Sequence, residues 1–171
     1  INVVIMRGIN EHVIIDFIDW TKDFPLYVRF IEFMPFKGNG WKQETVLSYE
    51  SMLEIISERY SFVKLHDAPN DTAKKYKVKG YAGNFAFIST ISEPFCGSCN
   101  RLRLTADGKI KNCLFDKGEV DLLSAFRNKD DILPLILNVL KNKKWERGGL
   151  FDIQSDTAAF NKNRSMIRIG G

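Results

Sequence analysis

The sequence predicts an α/β fold. Two observations carry that reading: an apolar strand–helix–strand succession in the first 33 residues, and a later strand running into a cysteine-bearing hairpin. Residues 1–6 are apolar and β-branched, Gly8 breaks the run, and Asn10 is placed to cap a helix. Ile14, Phe17, Ile18 and Thr21 then recur at helical spacing up to Phe24-Pro25. Residues 27–33 form a second apolar run, interrupted by Arg29 and Glu32. Two strands joined by a helix within about thirty residues imply a parallel crossover, as in an open α/β sheet or part of a barrel. A parallel strand is buried on both faces, so the two charges inside it call for a reason.

Residues 34–47 read as a loop at the carboxyl end of that strand, where ligand sites of α/β folds gather. Tyr49, Met52, Leu53, Ile56 and Tyr60 mark an amphipathic helix that Ser48 would cap. Residues 64–83, polar and rich in lysine, are expected to be a mobile connection with a short strand near residues 76–78. Residues 85–91 are a further strand. The cysteine segment, a hairpin and a helix over about 130–142 follow, and the chain closes on Gly170-Gly171. The chain opens on Ile1 rather than Met, already inside an apolar run, as expected of a piece of a longer polypeptide.

Composition narrows the function classes. The 171 residues are 44% hydrophobic and 27% charged, close to globular averages, which argues against a disordered or fibrous chain. No apolar run approaches the ~20 residues a bilayer span requires. Twenty-five Lys+Arg against 21 Asp+Glu leave a net charge of only +4, too little to point to nucleic acid. Three cysteines, an odd number, cannot form a complete disulfide framework and suit a reducing, cytoplasmic compartment.

All three cysteines fall within 18 residues, in a C-x2-C-x13-C pattern formed by Cys96, Cys99 and Cys113. The C-x-x-C spacing lets two thiolates bind one metal centre from a tight turn. Asp107-Gly108 between two strand-like arms signals a two-residue hairpin, and counting back from it pairs Leu102 with Cys113. The return strand thereby brings the third sulfur toward the first two. Structural zinc takes four ligands, catalytic zinc takes three and keeps one position open, and a [4Fe–4S] cluster bound by three Cys leaves one iron free. Spacing alone does not choose between iron and zinc, nor does it exclude a redox pair. Arg101 and Arg103 alternate with Leu102, so in an extended strand their guanidinium groups share one face about 6–7 Å apart. That spacing suits adjacent phosphates, with Lys109 and Lys111 adding charge from the return strand.

The run Phe95-Cys96-Gly97-Ser98-Cys99-Asn100-Arg101-Leu102-Arg103-Leu104 resembles the GTP 3′,8-cyclase family of molybdenum-cofactor biosynthesis, radical S-adenosylmethionine enzymes. Cys113-Leu114-Phe115, Arg29-Phe30-Ile31-Glu32-Phe33-Met34-Pro35 and the final Gly170-Gly171 extend the likeness along the chain. The resemblance implies the terminal β-α-β units of an incomplete (β/α) barrel in residues 1–40. An α+β carboxyl-terminal molybdenum-cofactor synthesis domain would occupy residues 41–171. It implies conversion of GTP to (8S)-3′,8-cyclo-7,8-dihydroguanosine 5′-triphosphate, using S-adenosyl-L-methionine and two [4Fe–4S] clusters, one of them on this chain. Cys96, Cys99 and Cys113 would ligate that cluster. Arg101, Leu102, Arg103 and Arg29 would line the GTP site, Met34 would lie against S-adenosylmethionine, and Gly170 and Gly171 would form an active-site tail.

The family's radical-generating C-x3-C-x2-C motif does not occur in these residues, so no catalytic residue is assigned and this stretch alone is expected to be inactive. A homodimer is implied for the full-length protein, with neither nucleic acid nor membrane as partner. The compartment would be the cytoplasm, or the mitochondrial matrix in a eukaryote. The rival readings are a zinc-binding interaction module on the same cysteines and a carrier acting through its terminal glycines.

Overall fold

The structure, a computed structural model, describes residues 1–149 and 164–169. It contains two compact units, the first made of Ile1–Met34 and Trp41–Ser98, the second of Pro35–Gly40 and Cys99–Gly171.

The first unit is a five-stranded mixed sheet with two helices. Strand β1 (Asn2–Ile5), helix α1 (Val13–Asp23) and strand β2 (Tyr27–Glu32) form the expected parallel crossover, with Asn2 opposite Arg29 and Ile5 opposite Glu32. Helix α2 (Tyr49–Ser57) follows, then β3 (Phe62–Lys64), β4 (Lys74–Val78) and β5 (Asn84–Ile88). The sheet order is β1-β2-β5-β4-β3; β5 runs parallel to β2, whereas β4 is antiparallel to both its neighbours.

Side chains alternate across this sheet and so decide its two faces. Ile5, Val28, Phe30, Phe85 and Phe87 turn to the helices and are fully buried with Ile14, Ile18, Met52 and Ile56. Aromatic rings fill much of the layer: Phe30 lies 5.8 Å from Phe87, Tyr49 5.4 Å from Phe87, and Tyr76 5.6 Å from Phe85. The buried hydroxyls of Tyr49 and Tyr76 hydrogen-bond each other, which satisfies two polar groups at once. Burial, and then that hydrogen bond, push the Tyr49 phenol well above its usual range.

Two local expectations change. Asn10 does not cap α1; its Oδ1 accepts from Met6 N–H at 2.7 Å and its Nδ2 donates to the Val4 carbonyl at 2.9 Å, closing the strand end instead. The lysine-rich stretch is no simple connection either. Lys74-Lys75-Tyr76-Lys77-Val78 makes a full strand, because Tyr76 and Val78 enter the core while Lys75 and Lys77 take the other face. Ser48 caps α2 as anticipated, accepting from Ser51 N–H.

The second unit is built on a three-stranded antiparallel sheet of β6 (Arg103–Leu104), β7 (Lys109–Lys111) and β8 (Val120–Asp121). Helices α3 (Leu122–Arg127) and α4 (Leu133–Lys141) both pack on β7. The short α3 had no periodic signature, but Asp121 caps it by accepting from Ser124 N–H at 2.9 Å. Ile110, Phe115, Val139 and Ile169 are buried, and Phe36 stacks on Phe115 at 5.7 Å.

The hairpin register differs by one residue from the count made on a two-residue turn. Arg103 pairs with Lys111 and Leu104 with Ile110. Thr105 N–H donates to the Lys109 carbonyl and Gly108 N–H to the Thr105 carbonyl, so three residues, not two, make the loop. Gly108 supplies the left-handed residue of that loop, with φ +75°. A Cβ there would come within 2.3 Å of the Leu123 Cβ, so packing as well as conformation requires glycine.

Candidate functional site

The two charges within β2 prove to have separate roles, since residues 29 and 32 face opposite sides of the sheet. Glu32 is fully buried on the helix side. Its carboxylate accepts from Tyr49 N–H at 2.9 Å, Ile91 N–H at 2.6 Å, Ser92 N–H at 3.0 Å and the Ser92 hydroxyl. It thus ties the end of β2 to the first residue of α2 and to the segment that leads, four residues on, to Cys96. Arg29 takes the other face, half-buried, with its guanidinium carbon 5.7 Å from the centre of the Tyr27 ring. Its Nε is buried without a hydrogen-bond partner. A buried N–H without an acceptor costs about 1–3 kcal/mol, which a ligand oxygen would recover. Met34 ends the first stretch of that unit, half-buried.

Cys96 opens a 3-10 turn over Cys96–Ser98 at the close of the first unit. The other two sulfurs belong to the second unit, where Cys99 precedes β6 and Cys113 follows β7. Each of the three cysteines is half-buried and outside any disulfide. Around Cys99 the charge is positive. Arg101 Nη2 donates to the Cys99 sulfur at 3.5 Å, and the Lys143 ammonium lies 3.7 Å from it. Burial pushes the Cys99 thiol up, but the Arg101 backbone N–H, its guanidinium and the Lys143 charge outweigh that and hold it below the usual thiol range.

Arg103 lies in the same electrostatic neighbourhood. Its pKa is drawn down, first by burial and then by the Arg101 charge, while Cys113 and Cys99 act in the opposite sense. The corrected register also sets Arg103 directly across from Lys111. Like charges so placed oppose one another. Lys111 is almost wholly buried and is answered by Glu119, whose carboxylate lies 3.6 Å from its ammonium. The second unit therefore gathers two sulfurs and four cationic side chains, a composition suited to an anionic group. The half-buried Leu102 stands between the two arginines.

Among the described residues, no group of three or more His, Cys, Asp or Glu converges as ligands of a single metal ion. Mononuclear zinc requires that convergence. The thiolates of a cubane cluster converge less closely, because each binds its own iron. The donor set itself fits an iron–sulfur centre: soft sulfur ligands, one of them biased toward thiolate. Gly170 and Gly171 lie outside the described residues. Just before them, Arg164 is held by the carboxylates of Asp107, at 2.9 Å, and Glu119, and Ile169 is fully buried. Sequence reasoning missed Glu32 as an anchor, and missed Arg164 and Lys143 altogether; each works through partners far away in sequence, and no local spacing marks them.

An α/β unit leading into a thiolate-bearing, arginine-rich hairpin defines a class of protein, and the comparison with known families specifies which. The family model described as Molybdenum Cofactor Synthesis C matches residues 26–148, and the chain belongs to that family. It is 44% identical to "Molybdenum cofactor biosynthesis protein 1" of Mus musculus, over 99% of the chain and 27% of the relative. It is 42% identical to "GTP 3′,8-cyclase, mitochondrial" of Arabidopsis thaliana, over 100% of the chain and 44% of the relative. With "GTP 3′,8-cyclase" of Syntrophomonas wolfei the identity is 39%, over 100% of the chain and 52% of the relative. The chain thus spans between a quarter and about half of the length of these relatives.

Proposed function

We propose that this chain forms the GTP-binding, cluster-bearing part of a GTP 3′,8-cyclase, acting in the first step of molybdenum-cofactor biosynthesis. The observation that carries the proposal is the pairing of Cys99 and Cys113 with Arg101 and Arg103 in one positively charged corner, within a chain of this family. Cys96, Cys99 and Cys113 would hold a [4Fe–4S] cluster. When bound, it supplies an iron with an open position for the guanine base.

Arg101 and Arg103 would bind the triphosphate through charge-assisted hydrogen bonds, with Leu102 beside them, and the orphaned Arg29 Nε would take a further ligand oxygen. Met34 would contact S-adenosyl-L-methionine, and Gly170 and Gly171 would approach the substrate where a side chain would not fit. A second cluster and the radical chemistry would be supplied from outside these residues. The parallel β1-α1-β2 crossover, with β1 at the edge of its sheet, supports reading residues 1–40 as the end of an incomplete barrel. Residues 41–171 would then be the carboxyl-terminal domain, a division by descent rather than by packing. No described helix is long and apolar enough to cross a membrane. We further propose a homodimer for the complete protein, in the cytoplasm or the mitochondrial matrix.

Anaerobic reconstitution with iron and sulfide tests the cluster. Broad absorbance near ~400 nm with about four iron and four sulfide per chain is expected. Colourless protein holding one tight zinc would overturn it in favour of a zinc module. The phosphate assignment has its own test, by titration of GTP into the reconstituted chain. Arg103→Ala should keep its iron yet weaken GTP by roughly 10- to 150-fold, the equivalent of about 1.5–3 kcal/mol for one charge-assisted contact. Unchanged affinity in both Arg101→Ala and Arg103→Ala would remove the arginines from the phosphate site.

A further inference from the structure

Lys143 lies just beyond the carboxyl end of α4, half-buried. Its ammonium carries three N–H donors and no acceptor. One donates to the Arg101 carbonyl at 2.9 Å and another to the Asn112 carbonyl at 2.7 Å. The Cys99 sulfur, at 3.7 Å, takes the remaining direction. These contacts bridge the two arms of the hairpin just beyond its last ladder pair, Arg103 and Lys111. Arg101 follows Cys99 by two residues, and Asn112 immediately precedes Cys113. One side chain therefore fixes the backbone on which both sulfurs of this unit are mounted.

Charge supports the same conclusion. Among the described residues, no carboxylate forms an ion pair with Lys143, although the neighbouring lysines 109 and 111 both pair with Glu119. A half-buried cation satisfied only by neutral carbonyls retains much of its desolvation cost. The remaining acceptor within its reach is the Cys99 sulfur.

We propose that Lys143 is a positioning residue of the cluster site, pinning the two ligand-bearing segments together and donating a hydrogen bond to the Cys99 sulfur. The inference rests on the cluster reading above. Hydrogen bonds to cluster sulfurs and nearby positive charge favour the more reduced, more negative state, so the lysine would raise the reduction potential of the centre as well as retain it.

The test compares the reconstituted wild-type chain with Lys143→Met, Lys143→Arg and, as a control, the exposed neighbour Lys144→Met. Iron loss to a chelator and the cluster's midpoint potential are both measured, with far-UV circular dichroism as a check on folding. Lys143→Met should lose iron about 10-fold faster and shift the midpoint of what remains to a more negative value. Lys143→Arg, which keeps the charge, should recover the potential more fully than the retention, and it decides the question if the methionine variant does not fold. Lys144→Met should match wild type. Unaltered retention and potential in the folded Lys143 variants would overturn the inference, and so would faster iron loss with an unaltered potential, the signature of a structural strut alone. Failure of the wild-type chain itself to take up iron would overturn the cluster reading, and the inference with it.

Discussion

Glu32→Ala should destabilise the chain by about 3–5 kcal/mol, the scale of leaving several buried backbone donors without their acceptor. The residue is fully buried and its carboxylate serves three backbone N–H groups and one hydroxyl. Truncation would leave those N–H groups facing a cavity, each costing about 1–3 kcal/mol, offset in part by entering water. Because small domains are stable by only about 5–15 kcal/mol, the loss should be plain as a lower urea midpoint at similar slope. Glu32→Gln keeps the volume but turns an amide NH2 toward backbone donors, and should fall between the two. Wild-type stability in Glu32→Ala would show that the carboxylate is no anchor. The same substitution should loosen residues 91–92, and hydrogen exchange at those amides gives an independent readout.

Cys113→Ser should abolish stable iron binding while leaving the fold intact. A serine hydroxyl keeps its proton near neutral pH and offers a hard oxygen in place of a soft thiolate, so the exchange removes a ligand with little change of shape. Iron and sulfide per chain should fall toward background, with loss of the visible absorbance and retention of far-UV circular dichroism. A variant that holds wild-type iron would exclude Cys113 from the ligand set. The contrast with Arg103→Ala, which should keep iron and lose nucleotide, separates the two halves of the proposed site.

Much of this was readable from residues. The parallel crossover of residues 1–33 is written in two apolar runs flanking a helical repeat, and the structure forms it. The cysteine spacing and the two alternating arginines were visible because both are local patterns. Long-range partners were not. Nothing in the spacing of Glu32 reveals that its acceptors serve residues 49, 91 and 92, and Lys143 acts on carbonyls 31 and 42 residues away. The lysines of residues 74–78 hid the full length of a strand expected only near residues 76–78, since their charge dominates the composition while Tyr76 and Val78 decide burial. The hairpin was anticipated but its ladder was not, because Asp-Gly serves both two- and three-residue turns and only the Gly108 conformation tells them apart.

That turn bears on how far natural variation at this corner can go. With three residues bridging the arms, the thirteen positions between the second and third cysteine act as a calibrated length rather than a tether. Deleting one of them would transpose inner and outer side chains along the whole arm, presenting leucine where guanidinium is wanted.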